Sequence, residues 1–349
     1  MDSHFLIHAS ELTLRFTRPP GARRLSAANH GGDFETWRVE CKAKLAELMG
    51  FLTPRPGNVT ELRRTCHDGV EVRLLVMDLS GELALPAYLL RPQGAAGRGR
   101  PVMAIHGHGA GRGEGCLGLT ASAYNGFAME LARAGHLVLL PIHRGFGPLR
   151  DLTAGLADIR LDYEQSMHFT CVTDAFVRGR TLVAENVEDL LRWEHWLAES
   201  VGATALAAAG LSYGGDLALC YGAFSERVER IFASGSCASF EDHFARCVNA
   251  PAHCIPGVLR WMDRSDIAGL NAPRPLALQF GELDTPCLAP GRENFSAART
   301  ARTEDLFREA RRIYAAAGAA DNITLTITPG MHHAMDVQAL LAFLGGERP

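Results

Sequence analysis

Short apolar runs alternate with amphipathic stretches over most of the chain. The apolar runs predict strands, and the stretches between them carry apolar residues at helical spacing and predict helices. The predicted strands are 102–105, 136–140, 205–209, 231–233, 276–280 and 323–327, and the predicted helices are 124–133, 184–199, 215–224, 305–317 and 337–344. Strands and helices in alternation require crossover connections, which favours an α/β fold with a mostly parallel central sheet and helices on both faces.

Two patterns precede this alternation. Residues 36–49 carry apolar side chains on one helical face, at Trp37, Cys41, Leu45 and Leu48. Prolines and glycines that interrupt helices precede this stretch, at 19–21 and 31–32. We therefore expect residues 1–59 to form an extension, partly irregular and partly helical, that packs on a main domain of residues 60–349. Apolar and polar residues alternate over 70–76, and a second β-rich run follows over 84–90, so this part predicts an antiparallel pair at a sheet edge.

Composition narrows the classes of function. The 349 residues include 47% hydrophobic residues, and 35 basic residues against 39 acidic ones give a net charge of -4. This balance excludes a disordered chain and predicts no nucleic-acid or membrane partner, so we expect a small-molecule substrate, with a homo-oligomer left open. The nine cysteines include no C-x-x-C pair, and the first residues lack a secretory pattern, so we expect reduced thiols and a cytoplasmic location.

A glycine-flanked serine gives the sharpest chemical signal. Residues 210–215 read Gly-Leu-Ser-Tyr-Gly-Gly, between a predicted strand and a predicted helix. A serine hydroxyl is a poor nucleophile unless it is exposed on a tight turn of this kind, and flanking glycines permit the strained backbone. The pattern therefore predicts Ser212 as a nucleophile.

A base and an orienting acid follow Ser212 in the chain order that such sheets use. Asp284 comes just after the strand 276–280 and is the predicted acid, with Glu282 as its rival. His332 and His333 follow the last predicted strand. We favour His333 as the base and keep His332 as the alternative, because apolar Met335 two positions after His333 would anchor the turn.

Backbone amides are expected to stabilise the oxyanion of a tetrahedral intermediate. Residues 106–109 read His-Gly-His-Gly directly after the strand 102–105, which is where one donor is expected; the other is the amide that follows the nucleophile. The oxyanion hole is therefore predicted at His108 and Tyr213. The imidazole of His106 is expected to be structural.

A metal or nucleotide cofactor is the alternative to a serine mechanism. Two histidines and two cysteines lie close together in sequence, at His243, Cys247, His253 and Cys254. Their spacing matches no common zinc pattern, and the glycine-rich stretch 107–113 lacks the ending of a phosphate-binding loop. We therefore predict no metal and no cofactor.

With these residues in place, the chain resembles the α/β-hydrolase superfamily, and within it the bacterial esterases similar to dienelactone hydrolase and acetyl xylan esterase. Beyond the serine turn, the resemblance rests on His-Gly-His-Gly at 106–109, Pro-Ile-His-Arg-Gly-Phe-Gly at 141–147, Ile-Pro-Gly at 255–257, Ala-Pro-Arg-Pro at 272–275 and Gly-Glu-Leu-Asp at 281–284. It implies an α/β-hydrolase fold with Ser212 as nucleophile, Asp284 as acid and one of the two histidines as base. Ile142 is a departure, since relatives carry aspartate there.

The expected reaction is hydrolysis of a small carboxylic ester, an acetyl ester or a lactone, through an acyl-enzyme. The same three residues also serve C–C bond hydrolysis, thioester hydrolysis and acyl transfer, so these stay alternatives. A non-catalytic ligand-binding protein on the same fold is a third hypothesis. The long connections 144–181 and 285–303 are expected to form the walls of the site.

Overall fold

The helices and strands follow the predicted alternation, with additions before and within it. The computed structural model describes residues 23–79, 83–93, 99–108, 112–144, 163–236, 239–240, 251–284 and 295–346. The first half contains α1 (Phe34–Met49), β1 (Asn58–His67), β2 (Val70–Leu79), β3 (Leu83–Pro92), β4 (Val102–Ile105), α2 (Arg112–Cys116), α3 (Phe127–Arg133), β5 (Val138–Pro141) and α4 (Tyr163–Val177). The second half contains α5 (Leu182–Trp196), β6 (Leu206–Leu211), α6 (Tyr213–Phe224), β7 (Val228–Ser234), α7 (Arg264–Gly269), β8 (Leu276–Gly281), α8 (Phe295–Ala316), β9 (Ile323–Thr328) and α9 (Val337–Gly345).

The strands of the described residues form one sheet in the order β1-β2-β3-β5-β4-β6-β7-β8-β9. The pairs β1–β2, β2–β3 and β3–β5 are antiparallel, and the remaining pairs are parallel. In a parallel sheet, functional groups gather beyond the carboxyl ends of the strands. The residues that follow β4, β5, β6, β7, β8 and β9 therefore meet at one edge.

Both faces of the sheet are covered. Successive residues of a strand point to opposite faces, and Met103 and Ile105 of β4 pack with the helices of one face, whereas Val102 and Ala104 pack with those of the other. Four-residue strands that are buried on both faces, such as β4 and β5, read as continuous apolar runs. The sheet is therefore the mostly parallel, doubly covered one that the sequence predicts.

Helix α1 and the described residues before it pack against the rest of the described chain. Helix α1 begins at Asp33, whose side chain accepts a hydrogen bond from Thr36 N at 2.9 Å, and the cap stabilises the helix by about 1 kcal/mol. The Leu25 amide donates to the Trp261 carbonyl at 2.8 Å. The Trp37 indole in turn donates to the Leu25 carbonyl at 2.8 Å, so the backbone of Leu25 links the Trp37 side chain of α1 to Trp261.

Candidate active site

Ser212 occupies a strained position between β6 and α6. Its backbone has φ 62° and ψ -123°, a left-handed conformation that costs a residue with a side chain about 1–3 kcal/mol and persists mainly at functional sites. The Ser212 amide donates to Ser234 O on β7 at 2.8 Å. The Ser212 carbonyl accepts from the amides of Gly215 and Asp216 at 2.9 and 3.1 Å and begins the helix. Ser212 is half-buried.

Glycines around this turn are required by close backbone approach. A Cβ on Gly210 would lie 2.2 Å from Gly214 O, and a Cβ on Gly214 would lie 2.1 Å from Ile105 O. A Cβ on Gly107, in the loop after β4, would lie 2.5 Å from Leu211 O. Contacts this short exclude any side chain, so the glycines let the β4 loop, the turn and the helix pack directly against one another.

Asp284 and His333 meet on neighbouring turns, after β8 and β9. His333 Nδ1 lies 3.0 Å from both carboxylate oxygens of Asp284. The Asp284 side chain is 4% exposed and the His333 side chain is 21% exposed. The two turns are tied together because the Leu283 amide donates to Met331 O at 2.8 Å. The carboxylate can thus orient the ring and favour a proton on Nδ1, which leaves Nε2 as the acceptor.

The alternative base, His332, and the alternative acid, Glu282, lie in different surroundings from His333 and Asp284. His332 is exposed, and Glu282 Oε2 accepts the Gly330 amide at 2.8 Å, which stabilises the turn that precedes the histidines. Met335 is fully buried, as the pattern of the turn predicted. Geometry therefore brings His333, and not His332, to Asp284.

The His333 ring lies against the strand that supports Ser212. A Cβ on Gly235 would be 2.6 Å from His333 Cε1, and Gly235 directly follows Ser234, which accepts the Ser212 amide. Within the described part of the chain, Ser212 Oγ makes no hydrogen bond. The three predicted residues therefore share one edge of the sheet, with the acid and base already paired.

The two predicted oxyanion donors are also close to each other. The Cβ position of Gly107 would be 3.1 Å from both Ser212 Cβ and the Tyr213 nitrogen, and His108 is the next residue. The rings of His108 and Tyr213 stack, with centroids 4.8 Å apart. Burial raises the pKa of the Tyr213 hydroxyl well above its usual value, and Asn186 donates to that hydroxyl at 2.8 Å.

His106 and His143 form a buried pair beneath the β4 loop. The His143 amide donates to His106 Nε2 at 3.1 Å, and His143 Nε2 lies 3.0 Å from the His106 carbonyl oxygen. Because His106 Nε2 accepts, its proton belongs on Nδ1, which donates to Gly107 O at 2.9 Å. Burial and the neighbouring His106 hold the pKa of His143 well below its usual range. The pair is neutral and fixes the loop.

Arg144 supplies the polar network next to Ile142. Its guanidinium donates to both Asp189 carboxylate oxygens at 2.8 and 2.9 Å and to Glu185 at 2.8 Å. Ile142 itself is buried in the apolar core. Position 142, where the family resemblance implied aspartate, is thus apolar here, and Arg144 pairs with two acids of α5. No local pattern singles out these acids, because Glu185 and Asp189 lie 41 and 45 residues after Arg144.

His253 lies against the rings of Tyr213 and His108, although the sequence pattern points to it only as one of the candidate metal ligands. Its ring centroid lies 4.8 Å from that of Tyr213 and 5.4 Å from that of His108. His253 Nδ1 is 2.5 Å from Asp216, which also accepts from Arg264 at 2.6 Å. Burial lowers the pKa of His253. The only feature of the sequence that could have pointed to His253 is its partner Asp216, an acidic residue in the first turn of α6, directly after Ser212.

Cofactor and membrane features can be stated only for the described residues. There, no group of three or more His, Cys, Asp or Glu side chains is arranged to hold a metal ion; His243 and Cys247 lie outside these residues. The described helices include none that is both long and apolar enough to span a bilayer. Of the predicted walls, 145–162 and 285–294 lie outside the described residues, and α4 and the start of α8 occupy the rest.

Comparison with known proteins finds a relative by sequence and structural neighbours by fold. No family model matches. The chain is 26% identical over 296 residues to "Putative hydrolase YtaP" of Bacillus subtilis strain 168, covering 81% of this chain and 90% of that protein.

Two solved structures show the same architecture. A Bacteroides fragilis protein described as a "putative acetyl xylan esterase" has a TM-score of 0.68 at 14% identity over 92% of this chain and 82% of its own. A glucuronoyl esterase from Solibacter usitatus has a TM-score of 0.61 at 15% identity over 90% of this chain and 93% of its own. At this identity the likeness shows the fold, and the chain has the α/β-hydrolase fold that the resemblance implied.

Proposed function

We propose that the protein is a serine hydrolase that cleaves a small carboxylic ester through an acyl-enzyme intermediate. The observation that carries the proposal is the left-handed backbone of Ser212 at the β6–α6 junction, because a strained serine at this point of the sheet is the nucleophile position of such enzymes. The His333–Asp284 pair at the same edge supports it. The esterase names of the structural neighbours support the reaction class.

Each residue has one role in the proposed cycle. Ser212 Oγ attacks the ester carbonyl carbon while its proton passes to His333 Nε2, and Asp284 stabilises the resulting imidazolium. The amides of His108 and Tyr213 donate to the oxyanion. His333 then protonates the leaving alcohol, and water repeats the sequence on the acyl-enzyme to release the acid and free serine.

The proposed substrate is a soluble small molecule, an acetyl ester or a lactone, turned over in the cytoplasm without a cofactor. One structural neighbour carries the name "putative acetyl xylan esterase" and another that of a glucuronoyl esterase. Both activities act on a carbonyl bonded to an alkoxy oxygen, which is the group that the proposed oxyanion hole and base would handle.

A panel of short acyl esters, lactones and thioesters tests the proposal. Wild-type protein is expected to hydrolyse at least one ester, and Ser212→Ala is expected to lose about five or more orders of magnitude in kcat. A fluorophosphonate should label wild type at Ser212 and leave Ser212→Ala unlabelled. Ester turnover that survives Ser212→Ala, or no labelling of folded wild type, would contradict the proposal. Turnover of thioesters or ketones alone would place the chemistry in another class.

A further inference from the structure

A short segment between α2 and α3 contacts both halves of the proposed catalytic machinery. Tyr124 is 2% exposed, and its hydroxyl reaches the loop after β4. There it accepts a hydrogen bond from the Gly107 amide at 3.0 Å and donates one to the His108 carbonyl at 2.6 Å. One oxygen atom therefore bridges the backbone on either side of the His108 amide.

The neighbours of Tyr124 contact the turn that carries the proposed base. The Met335 amide donates to Ala123 O at 2.8 Å, and Asn125 Nδ2 donates to the Met335 carbonyl at 3.0 Å. Met335 lies two residues after His333. We call residues 123–125 the clamp segment. The clamp segment binds the loop after β4, at Gly107 and His108, through the Tyr124 side chain. It binds the turn that carries His333, which we call the base turn, through the amide and the carbonyl of Met335.

The clamp segment is itself held in one conformation. Asn125 has φ 51°, a left-handed conformation that asparagine tolerates better than most residues. Its amide donates to Ser122 O at 3.1 Å, and the Gly126 amide donates to Gly115 O at 3.1 Å. The Tyr124 ring is buried in the apolar cluster under the sheet. The segment can therefore act as a fixed spacer between the two loops.

The two hydrogen bonds of the Tyr124 hydroxyl restrict the orientation of the His108 N–H group. The Gly107 nitrogen belongs to the peptide plane before the one that carries the His108 N–H, and the His108 carbonyl belongs to the plane after it. When both outer planes are bonded to one buried oxygen, the middle plane has little freedom to rotate. Donors must be aimed at the oxyanion before reaction to be effective, and a misplacement of about 1 Å can cost 100-fold in rate.

We propose that Tyr124 is a positioning residue for the oxyanion hole and that the clamp segment fixes this hole relative to the His333 turn. The inference rests on the proposed function for the identity of the donor and base. Tyr124 touches no reacting atom of the proposed cycle. It acts through the orientation of the His108 amide, so its loss should weaken transition-state binding more than substrate binding.

Tyr124→Phe tests this role, with Tyr314→Phe as the matched control. The Tyr314 hydroxyl is also buried and donates to a backbone carbonyl, Arg274 O, at 3.0 Å, but it lies on α8, away from Ser212. We expect Tyr124→Phe to lower kcat about 10- to 100-fold with KM changed less than about 3-fold. The second-order rate of fluorophosphonate labelling at Ser212 should fall by a similar factor, because the phosphonyl oxygen uses the same donors. Tyr314→Phe should leave both rates within about 2-fold of wild type.

Asn125→Gly is a second variant, which keeps the left-handed backbone and removes the amide donor to Met335. It should lower the labelling rate by about 3- to 30-fold through the base turn. A purely structural role predicts lower thermal stability for Tyr124→Phe and Tyr314→Phe alike, with unchanged rates in the folded fraction. Unchanged kcat and labelling in Tyr124→Phe, or a rise in KM alone, would overturn the inference. Labelling does not depend on which ester is turned over, so it tests the clamp even if the proposed substrate class is wrong.

Discussion

The choice between the two adjacent histidines is the most direct test of the site. Replacing His333 with alanine removes the ring whose Nδ1 lies 3.0 Å from both oxygens of Asp284. Replacing His332 removes an exposed ring on the neighbouring residue. The two variants lose the same atoms one position apart, so each is the control for the other.

The expected magnitudes follow from the contacts. Loss of the base from a serine triad costs about 1,000,000-fold in kcat, whereas loss of a ring outside it should cost less than about 3-fold. Asp284→Asn should cost about 10,000-fold, because an amide can donate to Nδ1 and move the ring proton to Nε2, where the acceptor is needed. The His333 side chain is 21% exposed, so water can fill the space and the His333→Ala variant should fold.

The assay is ester hydrolysis under single-turnover conditions, which separates acylation from product release. Circular dichroism and thermal unfolding check that each variant is folded. An inactive His332→Ala beside an active His333→Ala would refute the assignment of the base. If both variants stay within about 10-fold of wild type, neither histidine is the base, and the proposed mechanism fails.

Three further substitutions test contacts around the site. Gly107→Ala places a Cβ 2.5 Å from the carbonyl that precedes the nucleophile, so kcat/KM should fall by about 100-fold or more; activity near wild type would contradict this packing. Arg144→Ala removes one of the two arginines that each of Glu185 and Asp189 contacts and leaves Arg180 and Arg192 in place, so denaturant unfolding should show a loss of about 1–3 kcal/mol; a loss below about 0.5 kcal/mol would count against it. Burial raises the pKa of Asp266 from 3.8 to about 6, so its contribution is complete below 3.8 and is lost as pH rises through 6. Between pH 5 and 7.5 wild type should lose about 1 kcal/mol relative to Asp266→Asn, and a pH-independent difference would exclude this cause.

The central sheet was predictable because its strands are short and buried on both faces. The apolar run at 102–105 coincides with β4, and the other predicted strands differ from the observed ones only at their ends. Strand β1 was missed because nearly all of its residues are exposed. Its sequence carries charged residues without apolar alternation, as is common for an edge strand, so the antiparallel pair expected at the edge is the second and third strand of a triplet.

Helical boundaries were less predictable than strand boundaries. Helix α4 fell inside a predicted connection, and α8 begins ten residues before the predicted helix. On the face of α1, the fully buried residue near the end is Met49, whereas Leu48 is half-buried. Such ends are decided by tertiary contacts, here the hydrogen bond from the Thr181 amide to Met49 O at 3.0 Å, and these contacts leave no local pattern.

Chain order was enough to nominate the candidate nucleophile, acid and base, and the choice of His333 over His332 rested on the apolar Met335 that follows it. Their difference arises from the path of the turn, which is set by hydrogen bonds from residues just after β8, such as the one from the Leu283 amide to Met331 O. The clamp segment gave no signal at all. A tyrosine hydroxyl can bond any loop within reach, and only the fold brings Tyr124 to Gly107.

The strain at Ser212 connects these observations. A left-handed serine persists only if the surrounding structure determines its conformation, and here the determinants come from separate elements. The Ser234 carbonyl on β7 accepts a hydrogen bond from the Ser212 amide, and amides in the first turn of α6 donate to the Ser212 carbonyl. Gly107 on the β4 loop packs directly against the turn. The same loop is held by Tyr124, and the same strand end is covered by the His333 ring. The contacts that stabilise the strained turn are therefore the ones that would position the oxyanion donors and the base, so a change that relaxes the turn should cost activity before it costs the fold.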